Sequence, residues 1–124
     1  MGTVNACADS VILIDHLNGV DEATALLAGY DAVYASIISW IEVMAGARTP
    51  AALHAATRLF LTVTIVGIDH DVASIAAELR RTTRLKLPDA VILATARYLR
   101  VPLLTRNTKD FYSGDAAIIV PYRL

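Results

Sequence analysis

The 124-residue sequence predicts an α/β protein: a parallel sheet covered by helices on both faces. Three observations carry that reading. Short apolar, β-branched runs alternate with longer segments of helical periodicity. Caps and breakers, among them Gly19, Gly29, Pro50, Pro88 and Pro121, punctuate the alternation. The length suits one domain, and no repeat, low-complexity tract or linker divides residues 1–124.

Residues 3–8 read as a short strand, weakened by Asn5. Asp9 or Ser10 caps a helix over Val11–Asn18, because a short oxygen-bearing side chain satisfies the free amides of a first turn; Gly19 closes it. Glu22–Ala28 reads as a second helix, ended by Gly29. Ala32–Ala35 reads as a buried strand. Ser36–Ala47 follows as a helix with Ile37, Ile41 and Met44 on one side, and with Glu42 beside Ile38, Ile41 and Ala45 on a face able to lean inward. Pro50 opens a helix through the Ala-rich stretch to Phe60. Val63–Ile68 is strand-like. Asp69 or Asp71 then caps a helix whose apolar positions are Val72, Ile75, Ala76 and Leu79. Pro88 fits the first turn of a helix reaching Arg100, and Leu103–Thr105 and Ala117–Val120 finish as strands, with Pro121 stopping the last.

Composition narrows the function. The apolar fraction of 56% exceeds the roughly 45–50% usual for soluble domains, and the excess predicts an interface with another chain, a homodimer among the candidates. Ser36, Ser39 and Glu42 interrupt the best candidate for a membrane span. The start, Met-Gly-Thr-Val-Asn-Ala-Cys, lacks the pattern of a secretory signal, and Ala6 argues against myristoylation at Gly2. A single cysteine, Cys7, excludes an internal disulfide and suits a reducing cytoplasm. His16, His54 and His70 lack metal-ligand spacing, and no Gly-rich phosphate loop points to nucleotide hydrolysis. Net charge is −1 but lopsided: residues 1–47 hold six acids and no Lys or Arg, whereas 48–124 hold all 11 bases and six acids. That division suits an acidic site with a basic rim that steers a polyanion; it equally suits solvated helix faces carrying Arg80, Arg81, Arg84, Arg97 and Arg100.

Four acids stand out. Asp9 follows the first strand in Ala-Cys-Ala-Asp-Ser-Val-Ile-Leu-Ile; Glu42 lies in Ser-Trp-Ile-Glu-Val-Met; Asp89 follows Pro88; Asp110 lies in the loop beyond Thr105. Sites in parallel sheets form beyond the carboxyl ends of strands, and the predicted order brings all four acids to that edge. Each has a bland reading: a helix cap at Asp9-Ser10, a dipole partner at Asp89, a salt bridge to Arg48 or plain solvation at Glu42, a turn acid at Asp110. The bland readings do not predict their joint occurrence. Gathered carboxylates call for a hard divalent cation, and phosphodiester hydrolysis by activated water is the chemistry that follows. Asp15 faces away from Asp9 and reads as a rim residue of structural use. Arg106 and Lys109 are the expected contacts to backbone phosphates.

Four segments carry a resemblance: Asp9-Ser10-Val11-Ile12-Leu13-Ile14-Asp15-His16-Leu17, then Ser36-Ile37-Ile38-Ser39-Trp40-Ile41-Glu42 with Gly46, then Leu87-Pro88-Asp89-Ala90-Val91-Ile92-Leu93-Ala94-Thr95-Ala96, then Leu104-Thr105-Arg106-Asn107-Thr108-Lys109-Asp110-Phe111. In this order they resemble the four motifs of PIN-domain nucleases, and among these the VapC-type toxins of toxin–antitoxin modules. The resemblance implies a three-layer α/β/α domain with a central parallel sheet. It also implies a Mg2+- or Mn2+-dependent endoribonuclease, restrained by a VapB-type antitoxin and leaving 5′-phosphate and 3′-hydroxyl ends. Asp9, Glu42 and Asp89 match metal-site carboxylates, and Ser10, Ser36 and Thr105 match hydroxyls that bond carboxylates or water. Asn107 stands where many members have an acid, so the fourth place falls either to Asp110 or to an amide. Val11 replaces a polar residue often found in the first motif. The RNA target, be it tRNA, rRNA or mRNA, is not written in these motifs. A PIN-like protein-binding module with a degenerate site is the alternative, and a flap nuclease lacks the insertions it needs.

Overall fold

The computed structural model describes residues 3–111, 115 and 117–124, so the Met1-Gly2 start lies outside them. Strand β1 (Asn5–Ala8) leads to α1 (Ser10–Leu17) and α2 (Asp21–Ala28); β2 (Ala32–Ser36) leads to α3 (Ile37–Gly46) and α4 (Pro50–Leu59). Strand β3 (Thr64–Val66), α5 (His70–Thr82), α6 (Leu87–Leu99), β4 (Leu103–Leu104) and β5 (Ile118–Ile119) complete the order. All paired strands are parallel, in the order β3-β2-β1-β4-β5. The expected α/β class is borne out.

The period of two in β1 divides the core. Ala6 and Ala8 join Ile12, Leu13, Val33, Ala35, Val43 and Leu104 on one face, whereas Cys7 joins Val72, Leu79, Ile92, Leu93 and Leu103 on the other. Small residues at Ala6, Cys7 and Ala8 let helices close over both faces of the central strand, which is why this strand is apolar throughout. Helix α6 is buried without a break from Ala90 to Ala96, an all-round apolar stretch that belongs between a sheet and neighbouring helices. No helix among the described residues is long and apolar enough to cross a membrane.

Several boundaries differ from expectation. Strand β3 is confined to three residues of the six expected, and β4 stops at Leu104, leaving Thr105 just beyond the sheet. In α3 the buried stripe is Ser39 and Val43, while Ile41, expected on the apolar side, is half exposed. The hydroxyl fits inside because Ser10 meets it at 3.0 Å. Gly19, at φ +81°, closes α1 as expected, a conformation that strains any residue with a Cβ.

Candidate active site

The chain winds outward from β1 to β2 and β3, then returns across β1 to β4. The crevice beyond the ends of β1 and β4, where the winding reverses, is where an α/β sheet binds ligands. Asp9 caps α1 from the end of β1, its Oδ1 accepting the Ser10 N–H at 2.8 Å. Its Oδ2 accepts the Thr105 hydroxyl at 2.7 Å, and its own N–H donates to the Leu104 carbonyl at 2.9 Å. Both carboxylate oxygens are therefore aimed by neighbours on two elements.

Glu42 is exposed on α3, but its Oε1 is held by the Ser10 hydroxyl at 2.6 Å. Since Ser10 has one proton to give, its contact with the Ser39 oxygen runs the other way, Ser39 donating to Ser10 and Ser10 to the carboxylate. Asp89 sits half-buried in the first turn of α6, where the helix dipole favours an anion. Asp110 accepts from Asn107 Nδ2 at 2.9 Å, while its N–H reaches Asn107 Oδ1 at 3.3 Å. The two candidates for the fourth place thus engage each other.

Electrostatics ties the acids together. Burial, opposed by the bonds from Thr105 and Ser10, raises Asp9 to about 6, and the charges of Asp89 and Glu42 add to the rise. Burial also raises Asp89, together with Asp110 and Glu42, against the lowering influence of Lys86. Asp9 and Asp89 each feel two other acids, a repulsion that a bound cation would relieve. Among the described residues no three His, Cys, Asp or Glu side chains converge as a ready-made chelating cage. Magnesium does not need one: it keeps several waters and is commonly held by one or two carboxylates. The all-oxygen donor set and the charge gathered around Asp9 and Asp89 fit such an ion, which these two acids would hold, with Glu42 felt by both and Asp110 by Asp89.

Two expected roles look different in the fold. Ser36, expected to bond a carboxylate or water, is fully buried and caps α3, accepting the Ile38 N–H at 3.1 Å, with no carboxylate bonded among the described residues. Arg106, expected at a phosphate, instead forks its Nε and Nη2 onto Asp15 at 2.6 and 2.9 Å. Asp15, expected at the rim, is only 4% exposed and also accepts the Tyr122 hydroxyl at 2.8 Å. The guanidinium, then burial in opposition, then the phenol set Asp15 below the usual carboxylate range. An acid inside the run Val-Ile-Leu-Ile-Asp-His-Leu was the sequence signal for a buried partner. Lys109 remains exposed, lining with Arg84 and Asp110 a cleft of about 390 Å³ between α5, α6 and the loop after β4. Neither Ser39 nor Tyr122 was singled out by sequence reasoning.

A family model described as PIN domain matches residues 6–116. Comparison with curated proteins gives no match. Among solved structures, a chain of a toxin–antitoxin complex from Klebsiella pneumoniae is 40% identical, with a TM-score of 0.88 over 96% of this chain and 99% of that one. FitAcB from Neisseria gonorrhoeae is 22% identical, with a TM-score of 0.79 over 96% of this chain and 99% of that one. VapBC2 from Rickettsia felis, bound to a DNA fragment from its promoter, is 16% identical, with a TM-score of 0.76 over 94% and 96%. At those last two identities the likeness speaks to fold alone.

Proposed function

Because the chain belongs to the PIN-domain family, we propose that it is the toxin of a toxin–antitoxin pair, a Mg2+- or Mn2+-dependent endoribonuclease that cuts structured RNA at a single-stranded phosphodiester. One observation carries the reading furthest: Asp9, buried and aimed by Thr105 and Ser10, shares a field with Glu42 and Asp89 at the reversal of the sheet. When bound, the ion supplies a water of lowered pKa and offsets charge growing at phosphorus. Asp9 and Asp89 would hold it, together with Glu42, whose carboxylate Ser10 fixes at 2.6 Å. Asp110, exposed and steadied by Asn107, orients the attacking water. Arg84 and Lys109, on the adjoining cleft, hold flanking phosphates. The products carry 5′-phosphate and 3′-hydroxyl ends.

The antitoxin is a VapB-type protein. A groove of about 180 Å³ between α1, α3 and α4 is walled by Ile14, Leu17, Val43 and Ala52, with Glu42 at its edge. An amphipathic segment laid there brings a basic side chain to the acids. Ile41 and Leu53, half exposed nearby, suit the expected homodimer. Sedimentation of the isolated chain as a monomer at micromolar concentration would count against that dimer.

Cleavage of pooled cellular RNA, with Mg2+ or Mn2+ against a chelator, tests the enzyme, with Asp89→Asn removing one site charge without changing size. Metal-dependent cutting by the parent and none by the variant supports it. The Asn107–Asp110 pairing favours a second reading, a protein-binding module without catalysis. Folded, antitoxin-free protein that leaves intact RNA uncut selects that one.

A further inference from the structure

We propose that Asp15, Arg106 and Tyr122 form a latch that positions the loop after β4, setting Thr105 on Asp9 and Asn107 on Asp110. It rests on the reading that these acids are the working site. The three residues come from α1, from the loop after β4 and from the segment beyond β5.

The need for a latch follows from the sheet. Strand β4 has two residues, so few ladder bonds fix the chain that leaves it. Thr105 N–H takes one further ladder contact, to Ile119 O at 3.0 Å, and from there the loop turns on its own contacts. Asn107 N–H donates to Thr105 Oγ1 at 3.0 Å, and Phe111 N–H to Asn107 O at 3.2 Å. Arg106 lies between the residue that aims Asp9 and the residue that aims Asp110. Its fork onto Asp15 fixes the guanidinium plane in two directions at once, which a lysine ammonium does not do. Tyr122 donates to the same carboxylate, binding the segment after β5 over α1.

A carboxylate at 4% exposure is costly to bury unless its oxygens are filled. Asp15 has three donors, so it is a stable fixed point rather than a ligand in waiting. The arrangement also reassigns Arg106 from a phosphate contact to a positioning residue, because its charge is already answered by Asp15.

The test compares the full chain with Arg106→Lys, Arg106→Gln and Tyr122→Phe. Arg106→Gln strands a buried carboxylate, so Asp15→Asn/Arg106→Gln is run beside it, and each protein is melted to establish folding. Three readouts follow: amide hydrogen exchange of residues 105–111, Mn2+ affinity without RNA by electron paramagnetic resonance, and kcat and KM for RNA cleavage. The latch predicts faster exchange in 105–111 at a preserved fold, and Mn2+ affinity and kcat each lowered roughly 10–100-fold with KM little changed. Arg106→Lys should fall between parent and Arg106→Gln. Unchanged exchange and Mn2+ affinity overturn the latch. So does a rise in KM alone with a shallower salt dependence, the signature of a phosphate contact. An inactive parent sinks the nuclease reading, while exchange and Mn2+ affinity still judge the latch.

Discussion

Thr105 and Asp9 stand 96 positions apart in sequence and are joined by a hydrogen bond of 2.7 Å across the reversal of the sheet. The bond works in a place where burial pushes the Asp9 carboxyl up, and it pulls the other way by favouring the charged form. Thr105 is fully buried, so its hydroxyl has no water to turn to. The pair therefore sets the direction of the central acid and opposes the burial that raises it.

Thr105→Val keeps the shape and removes the donor. Cleavage is expected to fall roughly 10–100-fold, as for loss of a group that orients a metal-site acid. Thr105→Ser, which keeps the hydroxyl, should retain most activity. Rates measured at saturating magnesium decide the matter; a valine variant as fast as the parent removes Thr105 from the site.

The metal-free protein should lose stability as pH rises. Asp9 is about 6 when folded against an ordinary value of 3.8, so folding favours its protonated form. Its contribution is whole below the unfolded value and is lost as pH climbs through 6, on the order of 3 kcal/mol in all. Asp89, also raised, adds with the same sign. Asp15, lowered, has the opposite sign, and its contribution disappears only when pH falls below the usual carboxylate range. Denaturant unfolding in chelator from about pH 5 to about pH 7.5 follows roughly the upper half of the first effect, clear of the second. Asp9→Asn should flatten the slope, and Mg2+ at the higher pH should restore stability. A flat parent profile would refute the assignment.

Much of this was legible in the sequence, and the limits have physical causes. Helix caps such as Asp9 and Asp69 act locally, so their chemistry shows in the nearest few residues. The alternation of strands and helices likewise fixed a parallel sheet, and the likeness of its motifs to PIN domains is borne out by the family match, beside a 40% identical chain from a toxin–antitoxin complex. Contacts between distant stations were hidden. Nothing near Arg106 in sequence reveals that Asp15, 91 positions earlier, takes its charge. Ser39 reads as a polar break in an apolar helix until Ser10 is set opposite. Ile41 was misplaced because α3 turns its Ser39 and Val43 side to the core, a choice made by tertiary packing rather than by hydropathy.

Ser10 is the hinge of the relay to Glu42. Ser10→Ala leaves that exposed carboxylate untethered and strips the buried Ser39 hydroxyl of its acceptor. Stability should drop by about 1 kcal/mol, typical of one lost hydrogen bond. Activity should drop further, roughly tenfold or more, because Glu42 then samples rotamers away from the site. Thermal melts and single-turnover rates separate the two effects. If rate loss only tracks loss of folded protein, the relay has no part in aiming Glu42.

Cys7 offers a readout of the same region that needs no RNA. It lies two residues before Asp9 in the central strand, is wholly shielded, and its thiol is pushed up to about 12, first by burial and then by the Asp9 charge. At about pH 8 the folded protein should hold only about one thiolate in 10,000, against a substantial fraction when unfolded. A chromogenic disulfide reagent should therefore react through opening of the chain. Magnesium that binds the folded site slows this opening-limited labelling by mass action, in proportion to site occupancy. Asp89→Asn should label at a rate that magnesium changes far less. Immediate labelling of the folded parent would mean that β1 is not sealed between its two helix layers; equal slowing in parent and variant would place the magnesium elsewhere.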